Sequence, residues 1–426
     1  MLDLRAIRGA PEEIRAQLLR RGAVDSAEAI TVLLGLDEAR RDAVTRGDDL
    51  RARRNEASKK VGAAKREGID ATELIRETRE VGEEIARLER TVSEGEEQIH
   101  GLLLSIPNLP LEEVQEGGAE AGEIVEEWGE PLELPFPGRP HWELGEALGI
   151  LDLPAGARIS GSGFPVLRDA GARLQRILID WMLDLHVGEH GYHEVRVPYL
   201  VTEQTLTGTG QLPKFADESY LIERDQLWLI PTAEVPLTNL HRDELIAAAD
   251  LPLRYTAYSP CFRREAGAAG KDTRGLLRMH QFDKVELVRY ETPDRSRDAL
   301  EEMTAEAGRI LRELNLAYRV IRLAAGDLGQ AAAMTYDLEV WSPGVGQWLE
   351  VSSCSACGDY QARRANLRYR PAPGEKPEFV HTLNGSALAL PRLLVAILET
   401  FQDEDGGVTI PEPLRLRMGV DRLEPQ

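Results

Sequence analysis

The sequence predicts an α+β protein in two parts: an N-terminal antiparallel α-helical coiled-coil hairpin over residues 1–105 and a mixed domain over residues 106–426. Three observations carry this. Apolar residues recur at every seventh position through two long segments between residues 26 and 104. Pro107 and Pro110 end that pattern abruptly. Beyond them, short runs of alternating polar and apolar residues are separated by Gly- and Pro-rich stretches, which is how strands read. A length of 426 residues with 42% apolar content supports two or three cores rather than one.

Residues 1–24 form a short leader. Ile7, Ile14 and Leu18 fit one helix face, and Pro11 sits at a first turn, where its missing N–H does no harm. Ser26 is placed to cap the first long helix. Glu67-Gly68-Ile69-Asp70 makes the turn, with Asp70 or Thr72 as the next cap. In the second helix Leu74, Val81, Leu88 and Leu102 form one column, with Thr78, Ile85, Val92 and Ile99 beside it. The first helix is less regular. Leu36, Ala43, Leu50, Ala57 and Ala64 hold a column, while Arg40, Gly47 and Arg54 intrude in the other. A helix of about forty residues spans about 60 Å, so such an arm is expected to project from a globule.

Charge is divided between the two helices. Residues 40–66 carry Arg40, Arg41, Arg46, Arg51, Arg53, Arg54, Lys59, Lys60, Lys65 and Arg66, opposed by Asp42, Asp48, Asp49 and Glu56. The second helix is acidic. The whole chain has a net charge of -22, which argues against indiscriminate nucleic-acid binding. Charges beyond a Debye length of about 8 Å are largely screened, so the local distribution decides. The cationic helix reads either as an RNA footprint or as a solvated face with interhelical ion pairs.

Residues 111–170 read as connecting loops and short strands, running through His141-Trp142-Glu143-Leu144 to Gly161-Ser162-Gly163-Phe164. Leu174, Ile177, Leu178, Trp181, Met182 and Leu185 then form an apolar helix face, followed by an edge strand at Tyr192–Pro198. Leu227–Ile230 looks like a buried strand. It ends in Thr232-Ala233-Glu234 between Pro231 and Pro236, which fix the backbone there. Glu234 either faces a ligand ammonium or hydroxyl, or caps a helix from Val235 to Ala249.

The remaining domain is organised around residues 261–287. Cys261-Phe262-Arg263-Arg264-Glu265 ends one strand, and His280-Gln281-Phe282-Asp283-Lys284-Val285-Glu286-Leu287 returns as another. Gly267, Gly270 and Gly275 allow a long hairpin between them, made positive by Lys271, Arg274 and Arg278. An arginine leaving a strand is a planar fork suited to phosphate or carboxylate, and an aromatic on the partner strand can floor a purine. The alternative is a surface hairpin with solvated charges. Glu350, followed by Val351, Ser352 and Ser353, offers hard oxygens suited to Mg²⁺. His381–Leu394 is a polar strand entering an apolar helix that holds one cation, Arg392; a buried cation needs a partner or a ligand.

These segments resemble the three motifs of class II aminoacyl-tRNA synthetases, and over nearly the whole chain the sequence is similar to the bacterial seryl-tRNA synthetase family. The resemblance implies a class II catalytic domain built on an antiparallel β-sheet. It implies that ATP and L-serine are joined as seryl-adenylate and that the seryl group passes to serine tRNA, and to selenocysteine tRNA where that is present. Arg263 would hold the α-phosphate and the serine carboxylate, and Arg392 the γ-phosphate. Arg264, Glu265, Phe282, Val351 and Ser352 would complete the ATP site, with Glu350 and Ser353 holding Mg²⁺. Thr232, Ala233, Glu234, Glu286 and Ser386 would line the serine site. The hairpin would reach the long variable arm of the tRNA, with Arg40, Arg51, Arg54 and Lys59 as candidate contacts. The helix and strand of residues 171–200 would form a homodimer interface. Family patterns often have Gly at Ala387 and Pro391, and Asn at Thr400.

Both chemical steps use nucleophiles on the substrates, so the protein need only position groups and neutralise charge. Two other readings stay open: an amino-acid-activating relative that loads a carrier protein, and a non-catalytic coiled-coil scaffold. Cys354 and Cys357 form a C-x-x-C with no second pair, so no zinc is expected and two half-buried side chains at a turn suffice. No apolar run of about eighteen residues exists, and the charged N-terminus lacks a secretory stretch, which points to the cytoplasm and no membrane.

Overall fold

The computed structural model describes residues 1–266 and 274–426. The chain divides into two compact units, one of residues 2–19 and 23–107, the other of Met1, residues 20–22 and 108–426.

The first unit is helical throughout: α1 (Leu4–Gly9), α2 (Pro11–Arg20), α3 (Val24–Arg66) and α4 (Thr72–Ser105). Pro11 opens α2 as expected. Ser26 is not a cap, because α3 already begins at Val24. Gly68 turns the chain at a φ of 71°, and Asp70 accepts from the Thr72 N–H at 2.9 Å. Ala43, Ile85 and Ile99 are buried along the seam between α3 and α4. Gly47 and Gly95 are buried there too, and a side chain at Gly95 would meet the Cβ of Arg40 at 3.6 Å. That explains the intruding arginine: its stem fills the seam while its guanidinium reaches Asp37 at 3.0 Å and Glu96 at 3.5 Å. Asp37 is fully buried and also accepts from Arg8 at 2.8 Å and Arg41 at 3.0 Å.

The second unit is built on an eight-stranded sheet. Its strands in chain order are β1 (Glu123–Trp128), β2 (His193–Glu194), β3 (Leu253–Phe262), β4 (Gln281–Glu291), β5 (Tyr318–Arg322), β6 (Met334–Ser342), β7 (Gln347–Ala356) and β8 (His381–Ala389). Across the sheet they run β1-β5-β6-β7-β8-β4-β3-β2. All neighbours are antiparallel except β2, which lies parallel to β3 at the edge. The expected strand at Tyr192–Pro198 is therefore only two residues of pairing; Pro198 and the edge position leave the rest unladdered.

The same unit holds helices α5 (His141–Ala147), α6 (Leu153–Ser160), α7 (Asp169–Gly188), α8 (Glu203–Thr209), α9 (Glu234–Thr238), α10 (Ser296–Glu313), α11 (Tyr360–Ala365), α12 (Leu390–Thr400) and α13 (Glu412–Met418). The apolar faces of α7, α10 and α12 join Val285 and Leu287 in one core, on one side of the sheet. Alternation puts Phe282, Lys284 and Glu286 on the other side. Two expectations fail here. Short strands do form at Leu151–Asp152 and Val166–Leu167, but His141–Ala147 and Leu153–Ser160 are helices where connecting loop was expected. The helix expected from Val235 to Ala249 stops at Thr238, because Leu245–Ala247 instead pairs in parallel with Arg368–Arg370. Among the described residues no helix is long and apolar enough to cross a membrane.

Candidate active site

Two adjoining clefts open beside the face of the sheet that carries Lys284 and Glu286. The first, about 450 Å³, is walled by the loop after α8 and by the ends of β4, β7 and β8. The second, about 280 Å³, lies toward α12 and the returning end of the 263–280 connection. Arg263, Lys284, Glu350 and Ser386 line both.

Register brings the groups together. Glu286 on β4 stands opposite Ser386 on β8, and Phe282 stands opposite Cys261 on β3. Asp337 on β6 stands opposite Ser353 on β7. Thr232 donates to Glu286 Oε2 at 2.5 Å, and Lys284 Nζ lies 2.5 Å from the same oxygen and 3.0 Å from Ser386 Oγ. Lys284 is one of the site residues that sequence reasoning missed. Its position two residues before Glu286 puts it on the same face of the strand, so alternation was the available signal.

Glu234 does not cap a helix through its side chain. The carboxylate is half-buried on the wall of the first cleft and accepts from Gln361 Nε2 at 2.7 Å and Asn384 Nδ2 at 3.3 Å. Burial and then the nearby Glu286 charge push its pKa up to about 7, against the hydrogen bond from Gln361. Ala233 is buried behind this wall. Nothing in the sequence marked Gln361 or Asn384, which reach the site from α11 and β8.

The second cleft gathers Arg263, Glu265, Phe282, Glu350, Val351 and Arg392. The Arg263 guanidinium lies over the Phe282 ring, 5.1 Å from its centroid. Glu265 pairs with Arg278 at 3.0 Å. Arg392 corrects one expectation. It is not a buried cation: its side chain is 32% exposed, because the first turn of α12 faces the cleft, and it is held by the Glu350 carbonyl at 2.6 Å and carboxylate at 3.5 Å. Arg264 is placed elsewhere, bonded to the Asp217 carbonyl at 3.1 Å, and lines neither cleft. Ser352 points away as well and donates to the Ser386 carbonyl at 2.5 Å. Gly267, Gly270 and Lys271 lie outside the described residues.

The oxygens of Glu350, Ser353 and Asp337 fit a hard cation. Asp337 Oδ1 is closed to solvent and has no hydrogen-bond partner among the described residues. Burial and then the Glu350 charge hold the Asp337 carboxyl well above the usual range, as expected where a cation would complete the set. Among the described residues no cluster of three or more His, Cys, Asp or Glu side chains is set to hold a metal by itself, so ligand phosphates would have to supply the remaining oxygens. Cys354 and Cys357 are fully buried rather than half-buried at a turn, and burial raises both thiols, Cys354 to about 12.

The arm residues divide. Arg51 pairs with Glu89 on α4 at 2.9 Å and with Asp48 at 2.6 Å, and Arg40 is held as described. Arg53, Arg54, Lys59, Lys60, Lys65 and Arg66 have no ion-pair partner among the described residues, so interhelical ion pairs account for Arg40, Arg46 and Arg51 but not for the stretch nearer Gly68.

Comparison with known proteins accounts for both units. Residues 1–110 match the family described as the seryl-tRNA synthetase N-terminal domain, and residues 218–401 match the tRNA synthetase class II core domain (G, H, P, S and T). A serine–tRNA ligase of Gemmatimonas aurantiaca is 53% identical, with 98% of this chain and 99% of the relative covered. The fold superposes on the seryl-tRNA synthetase from Pyrococcus horikoshii complexed with ATP with a TM-score of 0.96 at 37% identity, covering 100% of both chains. It superposes on the cytoplasmic serine–tRNA ligase from Naegleria fowleri in complex with AMP with a TM-score of 0.87 at 28% identity, covering 98% of this chain and 96% of that one. The chain belongs to the seryl-tRNA synthetase family, the serine–tRNA ligases with a class II synthetase core.

Proposed function

We propose that the two clefts hold L-serine and ATP side by side, and that Arg263, on the wall of both, joins them. The family's reaction is ATP-dependent ligation of serine to tRNA. Serine would sit in the first cleft, its ammonium and hydroxyl among Glu286, Glu234, Thr232 and Ser386. ATP would sit in the second, with adenine against Phe282 and Glu265 and the terminal phosphate on Arg392. Arg263 would hold the serine carboxylate and the α-phosphate together.

The serine carboxylate oxygen then attacks the α-phosphorus, the P–O bond to the β-phosphate breaks, and pyrophosphate leaves. A ribose hydroxyl at the tRNA end attacks the seryl carbonyl, and AMP leaves. The protein supplies no nucleophile. It removes translational freedom and neutralises the phosphates with two permanent cations. Glu350 and Ser353, with Asp337 behind them, would hold Mg²⁺, which when bound offsets phosphate charge.

Residues 1–105 serve as the tRNA-binding domain and residues 106–426 as the catalytic domain in this reading. The unpaired cations of α3 from Arg53 to Arg66, including Arg54 and Lys59, are the phosphate contacts we favour. Arg40 and Arg51 are already engaged within the hairpin. We place the enzyme in the cytoplasm as a homodimer joined through α7 and the strand after it. The match of residues 1–110 to the family's N-terminal domain leaves carrier-protein loading without support.

The observation that carries the reading is that Arg263 and Arg392 share one cleft with Phe282 and Glu350. Serine-dependent ATP–pyrophosphate exchange tests it. Charging of serine and selenocysteine tRNA, with and without residues 26–104, then tests the arm. Exchange that is absent, or that does not depend on serine, would overturn it.

A further inference from the structure

His141 and Glu399 lie behind the second cleft, fully buried, and the reaction as drawn does not use them. Glu399 Oε1 accepts from the His141 backbone N–H at 2.9 Å and contacts His141 Nδ1 at 2.8 Å. Glu399 Oε2 accepts from Ser342 Oγ at 2.5 Å, Gly344 N at 2.9 Å and Val345 N at 3.0 Å. Burial would raise the Glu399 carboxyl, but hydrogen bonds from His141 and Ser342 outweigh it and hold it below the usual range. An ionised acceptor on Nδ1 means that Nδ1 carries the proton. On the far side, the Leu276 N–H points at His141 Nε2 from 3.0 Å, so Nε2 must be the acceptor. Both ring nitrogens are thereby assigned, and the imidazole is neutral.

This ring fixes the point where the chain returns from the 263–280 connection toward β4. Gly275 has a φ of 70°, and a Cβ there would lie 2.1 Å from His141 Nε2. Arg274 lies over the neighbouring Trp142 ring, 4.6 Å from its centroid. The two residues after Leu276 bring Arg278 to Glu265, and four more bring Phe282 under Arg263. The Leu276 N–H is buried, so losing its acceptor leaves a donor unsatisfied rather than solvated.

We propose that His141 and Glu399 are positioning residues for the nucleotide: Glu399 fixes the imidazole tautomer, and the imidazole holds the Leu276 backbone so that Arg278, Glu265 and Phe282 present one formed surface to the purine, a role that rests on reading the Phe282 cleft as the nucleotide site. The pair touches no substrate atom. Its effect belongs on ATP and not on serine.

Two substitutions separate the halves of the device. His141→Asn keeps a donor near Glu399 and loses the acceptor for Leu276. His141→Gln places an amide oxygen near the Nε2 position and keeps the acceptor. In serine-dependent exchange, His141→Asn should raise the KM for ATP about tenfold or more, as expected for one buried donor left without a partner, while the KM for serine stays within about twofold. His141→Gln should recover most of the ATP KM. Melting temperatures are read in parallel. Equal loss of stability in both variants with the ATP KM unchanged in each would overturn the proposal and leave a purely structural pair. Parent enzyme without serine-dependent exchange would instead overturn the reading of the cleft.

Discussion

Lys284 Nζ lies 2.5 Å from Glu286 Oε2, so this carboxylate of the first cleft carries an internal cation of its own. The side chains are 9% and 2% exposed, and Glu234 presses a second carboxylate toward the same space. Removing one partner of such a pair is costly, about 3–5 kcal/mol. Lys284→Ala should therefore melt markedly lower than the parent. A serine ammonium could replace part of the missing charge, so added serine should raise the melting temperature more in Lys284→Ala than in the parent. Equal serine-induced shifts in the two proteins would count against the shared site.

Glu234 titrates where enzymes are assayed. Its carboxyl is raised to about 7 from the ordinary value of 4.5, first by burial and then by Glu286. The deprotonated form attracts an ammonium, so the KM for serine in pyrophosphate exchange should fall as pH rises through about 7. Glu234→Gln should flatten that dependence. The sign for stability is opposite. A carboxyl raised on folding favours the native state at pH below its unfolded value, and this contribution is lost as pH climbs through about 7, at about 1.4 kcal/mol per pKa unit. Parent and Glu234→Gln melts between pH 5 and 8 should diverge accordingly.

Arg263 and Arg392 should fail differently. Arg392 lines only the second cleft, whereas Arg263 lines both. Arg392→Ala should lower exchange about a hundredfold or more, with the KM for ATP affected and that for serine spared. Arg263→Ala should abolish exchange and weaken both substrates. Both variants should keep the oligomeric state of the parent, as sedimentation would show. Near-parental exchange in Arg263→Ala would remove its assigned role.

The arm offers an internal control. Replacing Arg53, Arg54, Lys59 and Lys60 together by Ala should raise the KM for serine tRNA and flatten its salt dependence, with serine-dependent exchange unchanged. Arg40→Ala should act chiefly on melting, since that guanidinium spans Asp37 and Glu96. If the tip variant charges tRNA normally, the basic stretch is only a solvated face.

Periodicity carried the hairpin and most of the sheet because burial of one face leaves a trace in the sequence at a period of seven or two. It also placed Phe282 and Glu286 on a common face. It could not show that Leu245–Ala247 is claimed by a distant strand, which is why the helix after Glu234 reads too long. Nor could it find Asp337, Gln361 or Asn384, whose roles arise from cross-strand register and helix docking. Arg392 was misjudged for a related reason: an apolar neighbourhood in sequence does not say which way the first turn of α12 faces. Asp37 and Glu399 carry no pattern at all. Each is a charge buried where several donors converge, and only folding assembles the donors.

The Asp37 knot also grades the hairpin along its length. Three arginines and a buried carboxylate tie its base, and the ion pairs joining α3 to α4 end at Arg51 among the described residues. Toward Gly68 the seam is held by half-buried contacts such as Ala57 and Leu74. Amide hydrogens near the tip should therefore exchange through small local openings, while those around Asp37 wait for the whole unit to unfold. A rod that is stiff at its root and yielding at its end can conform to an irregular surface without surrendering its fold.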